Sequence, residues 1–128
     1  MSAEMAFETT FDASTNRLTI NFFGLIDGPK MKECLDHFHG VVPQLRPQFS
    51  LLTDLSGLLS MDLSCLPYLE MIMDLCRENG VATIVRVVPH PARDIGFNIL
   101  SKFHYPSTVR IITCESLTEA QRALDYSP

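Results

Sequence analysis

Asp62-Leu63-Ser64-Cys65 gathers a carboxylate, a hydroxyl and a thiol within four residues. Such side chains cap helices, accept phosphate or act as nucleophiles. Leu66, Leu69, Ile72, Met73 and Cys76 follow at steps of three and four, which predicts an amphipathic helix from about Ser64 to Asn79 with Gly80 as its stop signal. Pro67 lacks an amide hydrogen and so belongs in the first turn, which places the helix start near Ser64. Two readings of Ser64 follow. As a plain N-cap its loss would cost ~1 kcal/mol. As a modification site, it would place roughly -1.5 to -2 charges at the positive end of a helix dipole. Asp54 and Asp62 would oppose that gain, leaving the fold nearly unchanged and the surface potential much altered. Cys65 invites a third reading, because a helix start favours the thiolate, although spacing assigns it no His-Asp pair.

The other candidate chemistry is sparser. Asp54 can orient a basic group or hold a cation, but an acid at a strand end is also an ordinary turn former. His37 and His39 point about 200° apart on a helix and do not chelate jointly. Cys34 and His37 have a workable spacing but no evident third ligand, so no metal is expected. The glycines form no phosphate-binding loop, and no cofactor is expected.

Ser50 to Leu55 must position this stretch. It is an apolar run suited to a strand buried on both faces, hence central, and a polar turn would join it to the helix. Upstream, Met5 to Phe11 and Arg17 to Phe23 read as a hairpin closed by Asp12 to Asn16. Asp27 can cap the next helix, with Pro29 in its first turn, an apolar stripe of Met31, Cys34, Leu35, Phe38 and Val42, and Pro43 and Pro47 at its end. Downstream, Val81 to Val88 is a β-branched strand. Ile95, Ile99 and Phe103 predict a short helix ended by Pro106. Thr108 to Thr113 is a last strand, and Ser116 to Glu119 a capping box opening a last helix with Leu117, Ala120 and Leu124 on its apolar face. The order β-β-α-β-α-β-α-β-α predicts an α/β fold, a mixed five-stranded sheet with an N-terminal antiparallel hairpin and parallel later strands. Asp27, Asp54, His90, Arg93 and Ser116 would then share one sheet edge, a gathering that topology alone would produce.

Composition narrows the functional classes. The 128 residues, 46% hydrophobic, suit one domain spanning 1–128. A net charge of -5 without a dense Lys/Arg run argues against nucleic acid and against a polybasic membrane patch. No apolar run approaches the roughly 18 residues needed to span a bilayer. Four scattered cysteines without a CxxC pair, behind an N-terminus lacking signal-peptide order, point to the cytoplasm.

The element order, together with LLTDLSGLLSMDLSCLPYL, resembles the STAS family of sulfate transporters and anti-sigma-factor antagonists. The family has an apolar strand, Asp, a short apolar turn, then Asp-Ser-Ser-Gly opening a helix. Asp54 is similar to the strand-end acid, and Asp62 to Cys65 falls on the four-residue motif, with Leu63 in place of a serine and Cys65 in place of the glycine. TVRIITCESLTEAQRAL also resembles the last strand and helix of stand-alone members. The resemblance implies a non-enzymatic bacterial signalling module acting in transcription regulation, with Ser64 in the position of the phosphorylated serine. It also implies an anti-sigma factor with serine kinase activity as partner, docking at Asp27, Asp54, Ser56, Gly57, Asp62, Ser64 and Cys65. A small apolar or lipid ligand held near Met61, Leu66, Phe97 and Phe103 is the alternative, and a thiol enzyme or redox sensor the third.

Overall fold

Phe7–Asp12 (β1) and Arg17–Ile26 (β2) pair antiparallel in the computed structural model, which describes residues 6–88 and 105–125. The hairpin loop forms as its side chains dictate. Asp12 accepts from the amide and hydroxyl of Ser14 at 2.9 and 2.6 Å, and Asn16 takes φ 53°, a value Asn tolerates better than most residues. Ser50–Met61 (β3), Thr83–Val87 (β4) and Arg110–Cys114 (β5) then add in sequence order, each parallel to its predecessor, to complete a five-stranded sheet.

Because β2, β3 and β4 advance in one direction across the sheet, right-handed crossovers put their connecting helices on the same face. Gly28–Val41 (α1) and Leu66–Glu78 (α2) accordingly share one core with the sheet. Phe38 and Met31 of α1, Cys76 of α2, Leu18 and Ile84 of the sheet, and Phe49 just before β3 are fully buried there. The opposite face carries a smaller core in which Leu52, Val85, Val87 and Cys114 meet Ala120 and Leu124 of Leu117–Asp125 (α3). With helices on both faces, every residue of β4 is buried, as its β-branched composition requires.

The helix ends follow local chemistry. Asp27 caps α1 by accepting the Lys30 amide at 3.0 Å, Pro29 lies in the first turn, and a short 3-10 turn at Val42–Gln44 containing Pro43 follows its end. Ser116 accepts the Glu119 amide at 3.2 Å. Glu119 reaches back to the Glu115 amide, one residue before the usual capping-box partner.

Two strand ends differ from the sequence expectation. β2 continues past Phe23 to Ile26, and β3 past Leu55 to Met61. The β3–β4 pairing stops at Asp54–Val87, but β2 and β3 continue to pair as a ribbon beyond it. Between the Asn21–Asp54 and Phe23–Gly57 rungs β3 carries one residue more than β2. It does so again between Gly24–Leu58 and Leu25–Ser60, where Leu59 is the extra one. Such bulges bend and twist a strand without ending it, so Ser56, Gly57 and Ser60, read as turn formers, serve instead as irregular strand. The helix expected around Ile95, Ile99 and Phe103 lies outside the described residues.

Candidate functional site

The β2–β3 ribbon, the start of α1 and the turn before α2 meet at the carboxyl edge of the parallel strands. Residues Leu63–Cys65 form a 3-10 turn that leads into α2 at Leu66. The Asp62 amide donates to the Ile26 carbonyl at 2.8 Å, and the Cys65 amide to the Asp62 carbonyl at 3.0 Å, which fixes the turn against the end of β2.

Ser64 is exposed, but its hydroxyl does not cap its own helix. Ser64 Oγ accepts the Gly28 amide at 2.8 Å, so it satisfies a free donor at the start of α1, the neighbouring helix. The N-cap reading of Ser64 is therefore corrected: Asp27 is the N-cap of α1, and the Ser64 hydroxyl braces that helix from outside it. The contact requires a glycine: a Cβ at position 28 would lie 2.9 Å from Ser64 Oγ, 3.0 Å from its carbonyl oxygen and 3.1 Å from its Cβ.

Asp54 lies within β3, at the last rung shared with β4. Its Oδ1 accepts the Ser56 amide at 2.9 Å and the Ser56 hydroxyl at 2.6 Å, a local brace at the first bulge. Gly57 follows it, and a Cβ there would come within 2.9 Å of Phe23 Cδ1. Asp27 and Asp62 are exposed beside the Ser64 turn. Of the residues expected on this edge, Asp27, Asp62 and Ser64 come together here, while Asp54, Ser56 and Gly57 lie further back along the β2–β3 ribbon at its first bulge. Ser116 follows β5, two strands away from β3, while His90 and Arg93 lie outside the described residues.

Cys65 departs from expectation. Its side chain is 0% exposed, with Sγ 3.4 Å from the Ile26 carbonyl oxygen, so it offers no surface to a partner. Burial pushes its pKa up, and the charges of Asp62 and Asp27 add to the rise. The thiolate expected from a helix start does not form, because loss of water and two carboxylates outweigh the dipole. An alkylating reagent titrated against pH should label Cys65 in the folded protein with a midpoint above the ordinary thiol value; rapid labelling near neutral pH would contradict this environment. Cys34 is likewise buried in the core while His37 is exposed with its ring edge-on to Phe7, so these two do not form a ligand pair.

Sequence reasoning missed the apolar surface around this turn. Leu63 is 78% exposed, Leu59 66% and Leu25 63%, and Phe23 and Leu66 also face solvent. Leu59 is exposed as the residue a bulge leaves without a cross-strand partner. The signal was available in the runs of leucine interleaved with Ser and Gly, which are too irregular for alternation or a helical stripe. Arg86, 2% exposed on β4, was also missed. It lines a small cavity of about 30 Å³ beneath α2 with Thr53, Leu69 and Tyr105, space on the order of one or two waters. Met61 instead borders a shallow surface depression with Leu25, Asp27, Lys30 and Asp62. Phe97 and Phe103 lie outside the described residues.

These elements define an α/β fold of the STAS type, and solved structures share it. No protein-family model matches the chain, and no curated protein matches it significantly. The anti-sigma factor antagonist SpoIIAA in its unphosphorylated form aligns over 95% of this chain and all of its own, with a TM-score of 0.67 at 14% identity. An uncharacterized protein with a SpoIIAA-like fold from Shewanella loihica aligns over 97% of this chain and 98% of its own, with a TM-score of 0.72 at 12% identity. An anti-sigma factor antagonist from Mycobacterium paratuberculosis aligns over 98% and 99%, with a TM-score of 0.59 at 22% identity. At these identities the likeness is one of fold. Among the described residues no helix is long and apolar enough to cross a membrane.

Proposed function

We propose that this chain is a non-enzymatic, cytosolic regulatory module that docks a protein partner through the edge formed by Ser56 to Leu66 and Asp27, and that phosphorylation of Ser64 releases the partner. One observation carries the reading: an exposed serine lies in a turn flanked by strongly exposed leucines, at the edge where an α/β fold places its functional loops. The STAS-type fold adds support, since SpoIIAA, which shares it, is an anti-sigma factor antagonist with a phosphorylated form. By that analogy the partner is an anti-sigma factor with serine kinase activity.

The switch would act through charge. A phosphate on Ser64 adds about two negative charges beside Asp27 and Asp62, in an interface that must exclude water from Leu63 and Leu66. Each 1.4 kcal/mol lost is about tenfold in affinity. The serine's present bond to Gly28 is compatible with this, because a kinase needs to displace only one partly buried hydrogen bond to reach the hydroxyl.

Incubation with ATP and an anti-sigma factor that has serine kinase activity, followed by mapping of the phosphate, should find the modification on Ser64 and at least tenfold weaker binding of the modified protein to that kinase. Phosphate elsewhere, or none, removes the switch.

A further inference from the structure

We infer that the docking edge is built for a positively charged amphipathic segment, one that offers apolar side chains flanked by Lys or Arg. The inference rests on the docking reading above and specifies the partner's chemistry. The apolar part of the surface is Phe23, Leu25, Leu59, Leu63 and Leu66. Its geometry follows from the two bulges and the turn. Phe23 and Leu25 sit opposite Gly57 and Ser60 on the paired ribbon, Leu59 is the unpaired extra residue between, and Asp62, tied to Ile26, carries the chain directly into Leu63 and Leu66.

Among the described residues the charge around these side chains is predominantly negative, with exposed Asp27 and Asp62 set against Lys30. Asp27, Asp54 and Asp62 stand on the two stretches Phe22 to Pro29 and Asp54 to Leu66, and those stretches contain no Lys or Arg. Lys30 follows the first of these stretches, borders the same depression as Leu25, Asp27 and Asp62, and has its ammonium donating to the Leu25 carbonyl at 3.1 Å, which holds it at the ribbon. The whole chain is acidic as well, with a net charge of -5. A second copy would bring like charges together, and an anionic membrane would be repelled. A partner that buries the leucines must neutralise the carboxylates or leave them desolvated, and basic flanking residues do so while speeding encounter.

The test uses the full chain and three synthetic helical peptides with the same leucine stripe and with Lys, Gln or Glu on the polar face. The Lys peptide should bind at least tenfold more tightly than the Glu peptide, more weakly as salt rises, and should shift the backbone amide resonances of residues 23–25 and 57–66. Leu63→Asp should lower its affinity at least tenfold, and Asp62→Lys should narrow the preference for Lys over Glu. Equal binding of the three peptides, shifts confined to another face, or no binding of the Lys peptide would overturn the inference. If Ser64 is phosphorylated but no peptide preference appears, the docking switch stands and the basic partner does not. A clear Lys preference without kinase modification of Ser64 leaves the basic partner standing and removes the switch.

Discussion

Raising the pH from about 9 toward 12 should strip the protein of most of its stability, through two thiols buried beneath α1 and α2. Burial pushes Cys34 and Cys76 from an ordinary 9.0 up to about 12. Between these values the unfolded chain has released the two protons and the folded chain still holds them. Unfolding therefore releases protons, and stability falls as pH rises, by about 1.4 kcal/mol per pH unit for each thiol. Over three units this is about 4 kcal/mol per thiol and about 8 for the pair, comparable to the 5–15 kcal/mol that holds a typical domain together. Tyr105, whose hydroxyl is also driven up by burial, adds a loss of the same sign above its ordinary value of 10.0. Urea unfolding measured at pH values from about 8 to about 11 should show the slope directly. The Cys34→Ala, Cys76→Ala double variant starts lower, because two side chains are truncated in the core, but its stability should fall less steeply with pH. Equal slopes would mean that neither thiol is held away from water.

That these cysteines are core residues was readable from the sequence, since each falls on the apolar stripe of its helix: Cys34 with Met31, Leu35 and Phe38, Cys76 with Leu69, Ile72 and Met73. Regular periodicity likewise located α1, α2 and α3, β-prone composition and turn chemistry located the hairpin and the central strands, and Asp27 and Ser116 announced two helix starts by their chemistry. The ribbon end was not legible. Ser56, Gly57 and Ser60 carry turn propensity, but β2 and β3 remain hydrogen-bonded to each other beyond β4, and that pairing is a tertiary fact which outweighs local preference. The site was legible as a set of residues and not as a set of contacts. Sequence proximity suggested that Ser64 serves α2. Its partner, Gly28, lies 36 positions away, because the α1 crossover brings one helix start against the turn that introduces the next. Cys65 failed for a related reason: a helix-start argument assumes access to water, and this turn folds its thiol inward onto Ile26.

Gly28→Ala should be the most informative single change at the site, because it tests whether the first residue of α1 and the Ser64 turn behave as one unit. Gly28 does not have a positive φ, so alanine brings no backbone penalty there, and in a helix interior it would gain up to about 1 kcal/mol. Against this stands the contact at 2.9–3.1 Å with three atoms of Ser64, one of them backbone. Overpacking of this kind costs about 1–3 kcal/mol. Relief by rotating the hydroxyl away would forfeit the bond to the Gly28 amide, worth about 1 kcal/mol. Net destabilisation of about 1–2 kcal/mol is expected in thermal or urea unfolding, with faster hydrogen exchange at residues 28–31 and 62–66. In a Ser64→Ala background the closest contact, that with Oγ, is gone and the hydrogen bond is already lost. The same glycine substitution should then cost less by at least about 0.5 kcal/mol, the coupling that touching residues show. Identical costs in the two backgrounds would mean that the turn gives way freely and that Ser64 is not held by α1. Under the docking reading the variant has a further consequence: Leu63 and Leu66 flank Ser64 on the displaced turn, so Gly28→Ala should weaken partner binding without changing any charge. Phosphorylation would change the charge. Comparing the salt dependence of the two losses would separate what the switch owes to geometry from what it owes to electrostatics.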